Sequence, residues 1–125
     1  MSKPQVPHYT ERLRDSRKAS NQFYDFLTGD RFPPPMLVII KHDGNEQAFN
    51  YYHLSKRIMY NPSEGIRLSF IDSEGEVKIR IEGRNLDELW KHLITHRVTS
   101  ISEAGPDAAP DIPESELCVE KITIQ

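Results

Sequence analysis

The sequence predicts an α+β domain: an antiparallel β-meander of about five strands closed by an amphipathic C-terminal helix, preceded by an N-terminal helix and followed by a C-terminal edge strand. Three observations carry this expectation. Ile66, Leu68 and Phe70 alternate with Arg67 and Ser69, and Val77, Ile79 and Ile81 alternate with Lys78, Arg80 and Glu82. Period two on both sides of Ser73-Glu74-Gly75 marks two antiparallel strands with one face buried. Leu86, Leu89, Trp90, Leu93 and Ile94 then fall at i, i+3, i+4, i+7 and i+8, a single helical stripe. Last, Leu117 to Ile124 is rich in aliphatic and β-branched residues beyond a Pro-rich, acidic stretch, as a docked strand would be.

Taken from the N-terminus, residues 1–35 form an arm. Pro4 and Pro7 make its first residues a loose lead-in, and Tyr9, Leu13, Phe23, Tyr24 and Leu27 recur near helical spacing opposite Arg12, Arg14, Arg17 and Lys18. Gly29 suits the end of that helix, and Pro33-Pro34-Pro35 forbids its continuation. Residues 36–102 form the core domain. Met36-Leu37-Val38-Ile39-Ile40 is a buried-strand run, Asp43-Gly44 a tight turn, and two further strands fall near 46–51 and 56–61. Asn61-Pro62-Ser63-Glu64-Gly65 leads into the alternating hairpin, and Asn85 is the natural N-cap of the helix, with Glu88 at the capping-box position. Trp90 is expected under the sheet, and Val98 to Ile101 adds a short extended segment. Residues 103–125 combine an acidic linker, Glu103 to Ser115, with the C-terminal strand.

About five strands closed by a helix that bears Trp90 is an order of elements that resembles the second half of pleckstrin-homology-like domains. The resemblance implies a fold and no ligand.

Composition narrows the function classes. The 125 residues are 37% hydrophobic and 28% charged, which suits one globular domain rather than a disordered chain. Cys118 is the only cysteine, so an intramolecular disulfide is excluded and a reducing, cytoplasmic setting is expected. Met1-Ser2-Lys3-Pro4 opens no signal peptide, and no apolar run has the roughly 20 residues of a membrane span. The net charge of −3 is distributed unevenly. Residues 1–41 hold seven basic and four acidic side chains, 42–102 hold eight and nine, and 103–125 hold one and six. Glycine-rich phosphate loops, paired metal-binding cysteines and nucleophile elbows are all missing from the sequence, so no cofactor and no familiar catalytic chemistry is expected.

Three sets of residues remain as candidates. Glu88, His92 and His96 stand at i, i+4 and i+8, the spacing that stacks ligands for a divalent ion on one helix face. The competing reading is a solvent face opposite the Trp90 stripe, one ligand short of a structural site. Lys56, Arg57, Arg67, Lys78, Arg80 and Arg84 would give a basic sheet face able to track nucleic-acid phosphates, with Glu64, Asp72, Glu76 and Glu82 interleaved as in ordinary surface chemistry. The apolar residues of the two ends, Tyr9, Leu13, Phe23, Tyr24, Leu27, Leu117, Val119, Ile122 and Ile124, would dock on their own domain, on a second copy or on a partner protein. The leading expectation is a non-enzymatic protein-interaction module, with self-association as one mode. The alternative is a nucleic-acid-binding domain using Arg67, Lys78 and Arg80.

Overall fold

The computed structural model describes residues 18–20, 23–28 and 35–125. Their elements run β1 (Lys18–Ser20), β2 (Tyr24–Leu27), β3 (Met36–Ile40), β4 (Glu46–Asn50), β5 (Met59–Asn61), β6 (Gly65–Asp72), β7 (Gly75–Arg84), helix α1 (Asp87–Ile94), β8 (Val98–Ser102), helix α2 (Gly105–Ala108) and β9 (Cys118–Ile124). Two short 3-10 turns, Tyr51–His53 and Ala109–Asp111, complete the described chain. Among these residues no helix is long and apolar enough to cross a membrane.

The strands form two sheets, not one meander under a closing helix. The first has the order β1-β2-β8-β3-β4 and the second β5-β6-β7-β9. Every pairing is antiparallel except β3 with β8, where Val38, Ile39 and Ile40 run beside Ser100, Ile101 and Ser102. A parallel pair needs a crossover, and here the crossover is most of the second sheet together with α1. The likeness to a pleckstrin-homology-like second half fails with it.

The expected N-terminal helix is also corrected. Residues 9–17 of that span lie outside the described residues, while Lys18–Ser20 and Tyr24–Leu27 are strands. Phe23, Tyr24, Phe26 and Leu27 satisfy a helical spacing, but Tyr24 and Phe26 equally satisfy period two. The open edge of β8 supplies the ladder that decides the matter.

Both sheets contribute to one core. Leu37, Ile39, Phe49, Val98 and Ile101 from the first sheet cluster with Ile66, Leu68, Phe70, Ile79, Ile81, Val119 and Ile122 from the second. Phe49 on β4 stacks on Phe70 on β6 with ring centroids 5.0 Å apart, which ties the sheets together at their faces. The alternating hairpin pairs Ile66 with Ile81, Leu68 with Ile79 and Phe70 with Val77, so one face of β6 and β7 turns inward and the charged face outward. Gly65 enters this hairpin with φ +92, a left-handed conformation that strains any L side chain.

Helix α1 buries Leu86, Leu89 and Leu93 in that core. Trp90 is not under the sheet; it is half-buried at the side, its ring 5.7 Å from that of Tyr60 on β5. Ile94 is exposed. The N-cap position belongs to Leu86, without a side-chain cap. Asn85 has a φ of 56 instead, and its amide donates to the carbonyls of Glu114 and Glu116 at 2.8 and 3.0 Å.

That contact explains why the acidic stretch after β8 is not a plain linker. Arg84 donates to the carbonyls of Ala109 and Ile112 at 3.3 and 3.2 Å, so two adjacent side chains at the end of β7 hold the segment by its backbone. Residues rich in proline lack amide donors, and Arg84 and Asn85 use the carbonyls that remain. The chain then returns as β9 on the free side of β7, where Ile81 faces Ile122 and Arg80 faces Thr123 within the same chain.

The outer edge of β9 is sealed by the first sheet. Ala104 donates its amide to the Val119 carbonyl, Ile122 donates its amide to Oε2 of Glu103 at 2.7 Å, and the Lys41 ammonium bonds the Ile122 carbonyl. Glu103, expected in a linker, is therefore the buried polar centre between the sheets. Its carboxylate also accepts from Lys41 Nζ, from the His42 amide and from His42 Nδ1.

Candidate functional site

The solvent face of the second sheet gathers most of the cations that the sequence suggested. Arg57, Arg67, Lys78 and Arg80 line an open groove of about 510 Å³, and β9 adds Lys121. The register places them. Met59, Arg67, Arg80 and Thr123 follow one another across β5, β6, β7 and β9, and Ser69 and Lys78 form the next rung outward. Two residues along a strand span about 6.8 Å and neighbouring strands add about 4.8 Å, so these charges form a closely spaced lattice.

Five basic side chains meet two acidic ones, Glu76 and Glu82, in the lining of the groove. That is a local excess of positive charge on a chain whose net charge is −3. Arg67 contacts Glu64 at 2.8 Å, and Arg80 lies 3.6 Å from Glu82 and donates to the Glu64 carbonyl at 3.2 Å. Among the described residues no ion pair engages Arg57, Lys78 or Lys121. Exposed pairs such as Arg67–Glu64 are worth about 0.2–1 kcal/mol, so a phosphate can exchange for the carboxylate at little cost.

Two of the six basic candidates stand elsewhere. Lys56 is exposed outside the groove lining, and Arg84 turns to the other side of the sheet, where it pairs with Glu120 at 3.0 Å. Lys121 was missed because its place depends on β9 docking against β7, where it lies opposite Glu82. Its own alternation with Glu120 and Ile122 was the only local signal.

The metal-like triad does not converge. Among the described residues no three His, Cys, Asp or Glu side chains gather as a metal site would. Nδ1 of His92 lies 2.9 Å from the Glu88 carbonyl and 3.1 Å from the Tyr24 hydroxyl, and its ring stacks on Phe26 at 3.8 Å. Helix α1 ends at Ile94, so His96 leaves the helix with φ 56 and stacks on Tyr51 at 5.0 Å. Glu88 points to Lys91 at 3.2 Å. Of the face expected in solvent, Glu88 is exposed, while His92 and His96 are half-buried against β2 and Tyr51.

Of the interaction candidates, Tyr9 and Leu13 lie outside the described residues. Phe23, Tyr24, Val119 and Ile122 are buried in the chain's own core, and Leu27, Leu117 and Ile124 are half-buried at its margin. The Tyr51 hydroxyl, which donates to the Val98 carbonyl at 2.7 Å, is driven far above its ordinary pKa by burial. Compared with protein-family models, with curated proteins and with solved structures, the chain matches none of them.

Proposed function

We propose that this protein is a non-enzymatic binding module that engages the phosphate backbone of a nucleic acid through the outer face of its second sheet. One observation carries the reading: Arg57, Arg67, Lys78, Arg80 and Lys121 share one open groove against two acids. Two of the five are set as a direct cross-strand pair, Arg67 opposite Arg80, an arrangement that stability alone does not favour. Guanidinium forks suit phosphate oxygens, and the lining offers no aromatic ring on which a base would stack, so recognition would follow the backbone rather than the sequence. The buried interaction candidates favour this reading over docking through the two ends. A reducing, cytoplasmic setting fits the same reading, since the buried Cys118 is in no disulfide.

The test is fluorescence anisotropy with labelled single-stranded and duplex oligonucleotides of mixed sequence. Affinity should fall steeply with salt, because each neutralised phosphate contributes roughly 0.7 to 0.9 to the slope of log K against log salt. Replacing Arg67, Lys78 and Arg80 together by glutamate should abolish binding while the melting temperature stays within a few degrees. Affinity that ignores both salt and charge reversal would sink the proposal. Salt-insensitive self-association would return the protein-interaction reading to first place.

A further inference from the structure

A second pocket of about 730 Å³, which shares Lys121 with the basic groove, lies between the end of β3 and the α2 turn. Its polar end is His42. Oε1 of Glu103 accepts from the His42 amide at 3.0 Å and lies 2.7 Å from Nδ1. The Glu103 carboxylate is held ionised: burial pushes its pKa up, but the bonds from His42, the Ile122 amide and Lys41 outweigh burial and bring it down to about 2. An ionised carboxylate only accepts, so Nδ1 carries the proton of that bond and Nε2 is the nitrogen left for a ligand.

The ring is also fixed from the other side. Gly105 has φ +82, and a Cβ there would stand 2.7 Å from Cγ of His42, so only glycine lets the α2 turn close over the imidazole. The His42 side chain is nevertheless 49% exposed, while Glu103 behind it is 4% exposed. An imidazole clamped by a buried carboxylate and a glycine, yet half open to a pocket, is preorganised for contact. The wall facing it is apolar: Pro106, Ala109, Pro110 and Ile112.

We infer that this pocket binds a small monocarboxylic acid with an apolar body, its acid group on Nε2 of His42 and its body against the proline-rich wall. The ligand arrives as its carboxylate, so binding takes up one proton from water at Nε2, and the resulting imidazolium lies between two carboxylates, that of Glu103 and that of the ligand. Lys121, which no ion pair engages among the described residues, adds positive charge at the rim. Arg84 and Lys41 are occupied by Glu120 and Glu103. Beside the paired Glu103 and Glu120, Glu114 brings a third carboxylate to the lining, which disfavours a dianion such as phosphate and selects a monoanion.

The test is a titration of the full chain with benzoate and, separately, with inorganic phosphate, followed by NMR at the His42 ring and the Ile112 methyls. Benzoate should saturate at least tenfold more tightly than phosphate. His42→Asn keeps an N–H for Glu103 but has nothing at the place of Nε2, so it should weaken benzoate at least tenfold with the melting temperature unchanged. Pro110→Asp, at an exposed position outside the core, should weaken it as well. The inference is overturned if benzoate does not saturate, if phosphate binds as tightly, or if neither substitution alters benzoate affinity.

Discussion

Arg67 on β6 stands directly opposite Arg80 on β7, so two guanidinium groups share one rung of the ladder. Like charges placed this way oppose pairing, and the surrounding acids answer only in part, since Glu64 reaches Arg67 by its carboxylate at 2.8 Å while the nearest carboxylate to Arg80 is that of Glu82 at 3.6 Å. A double-mutant cycle with Arg67→Thr and Arg80→Thr should therefore give an unfavourable coupling of about 0.2–1 kcal/mol between the two arginines. The same substitutions should weaken oligonucleotide binding. Urea unfolding of the four proteins measures the coupling, and a favourable value would mean that Glu64 already neutralises the pair.

Glu103 sets the acid stability of the fold. Its carboxyl titrates at about 2 in the folded protein against 4.5 for an ordinary glutamate. Between those two values the unfolded chain binds the extra proton, so stability is fully present above pH 4.5 and is lost as pH falls through 2. The difference corresponds to about 3 kcal/mol. Glu103→Gln should cost roughly that much at neutral pH, because its amide turns a donor toward the donors of Lys41 or Ile122. The gap between wild type and variant should close as pH falls toward 2. Melting curves collected across that range decide it, and a gap independent of pH would place the cost in packing instead of charge.

The hairpin of β6 and β7 was legible because its alternation, its glycine turn and its buried face all point the same way. Three of the six basic candidates, Arg67, Lys78 and Arg80, came together for the same reason, because period two fixes which side each residue takes, and Arg57 joins them from the segment before β5. What escaped the sequence depends on partners far along the chain. Val98–Ser102 is a short, mixed segment, yet it lies between β2 and β3 at the heart of the first sheet, and nothing local announces a parallel neighbour. Glu103 looked like one acid among several in a Pro-rich stretch, and only the arrival of β3 and β9 beside it turns it into a buried anchor. Trp90 followed the helical stripe correctly in spacing, but a stripe this wide has flanks, and Trp90 lies on one of them against Tyr60.

His92 is a packing residue by geometry, with its ring on Phe26 and Nδ1 shared between the Glu88 carbonyl and the Tyr24 hydroxyl. His92→Ala should destabilise the protein by about 0.5–1.5 kcal/mol, the range for a ring pair beyond simple burial. Zinc taken up during dialysis against the metal should be the same for wild type and variant. Stoichiometric zinc that disappears with His92 would mean that Glu88 and His96 swing together around an ion, and the stacking role would then be secondary.

The C-terminal strand gives the most direct test of the architecture. Ile122 is fully buried opposite Ile81, and both of its outward backbone groups are taken by Glu103 and Lys41, the residues that follow β8 and β3. Ile124, two residues on and on the same face, is only half-buried opposite Ile79. Ile122→Ala should cost about 2–5 kcal/mol, as large-to-small changes do where the surroundings cannot collapse into the space. Ile124→Ala should cost clearly less, because solvent already reaches part of that side chain. Deleting 118–125 should remove cooperative unfolding altogether, since it strips β7 of one of its two partners and leaves the Glu103 carboxylate buried without the Ile122 amide. Chemical unfolding at several protein concentrations separates the outcomes. Equal costs at the two isoleucines would place β9 off the core, and a midpoint that rises with concentration would show the strand is exchanged between two chains instead of closing its own sheet.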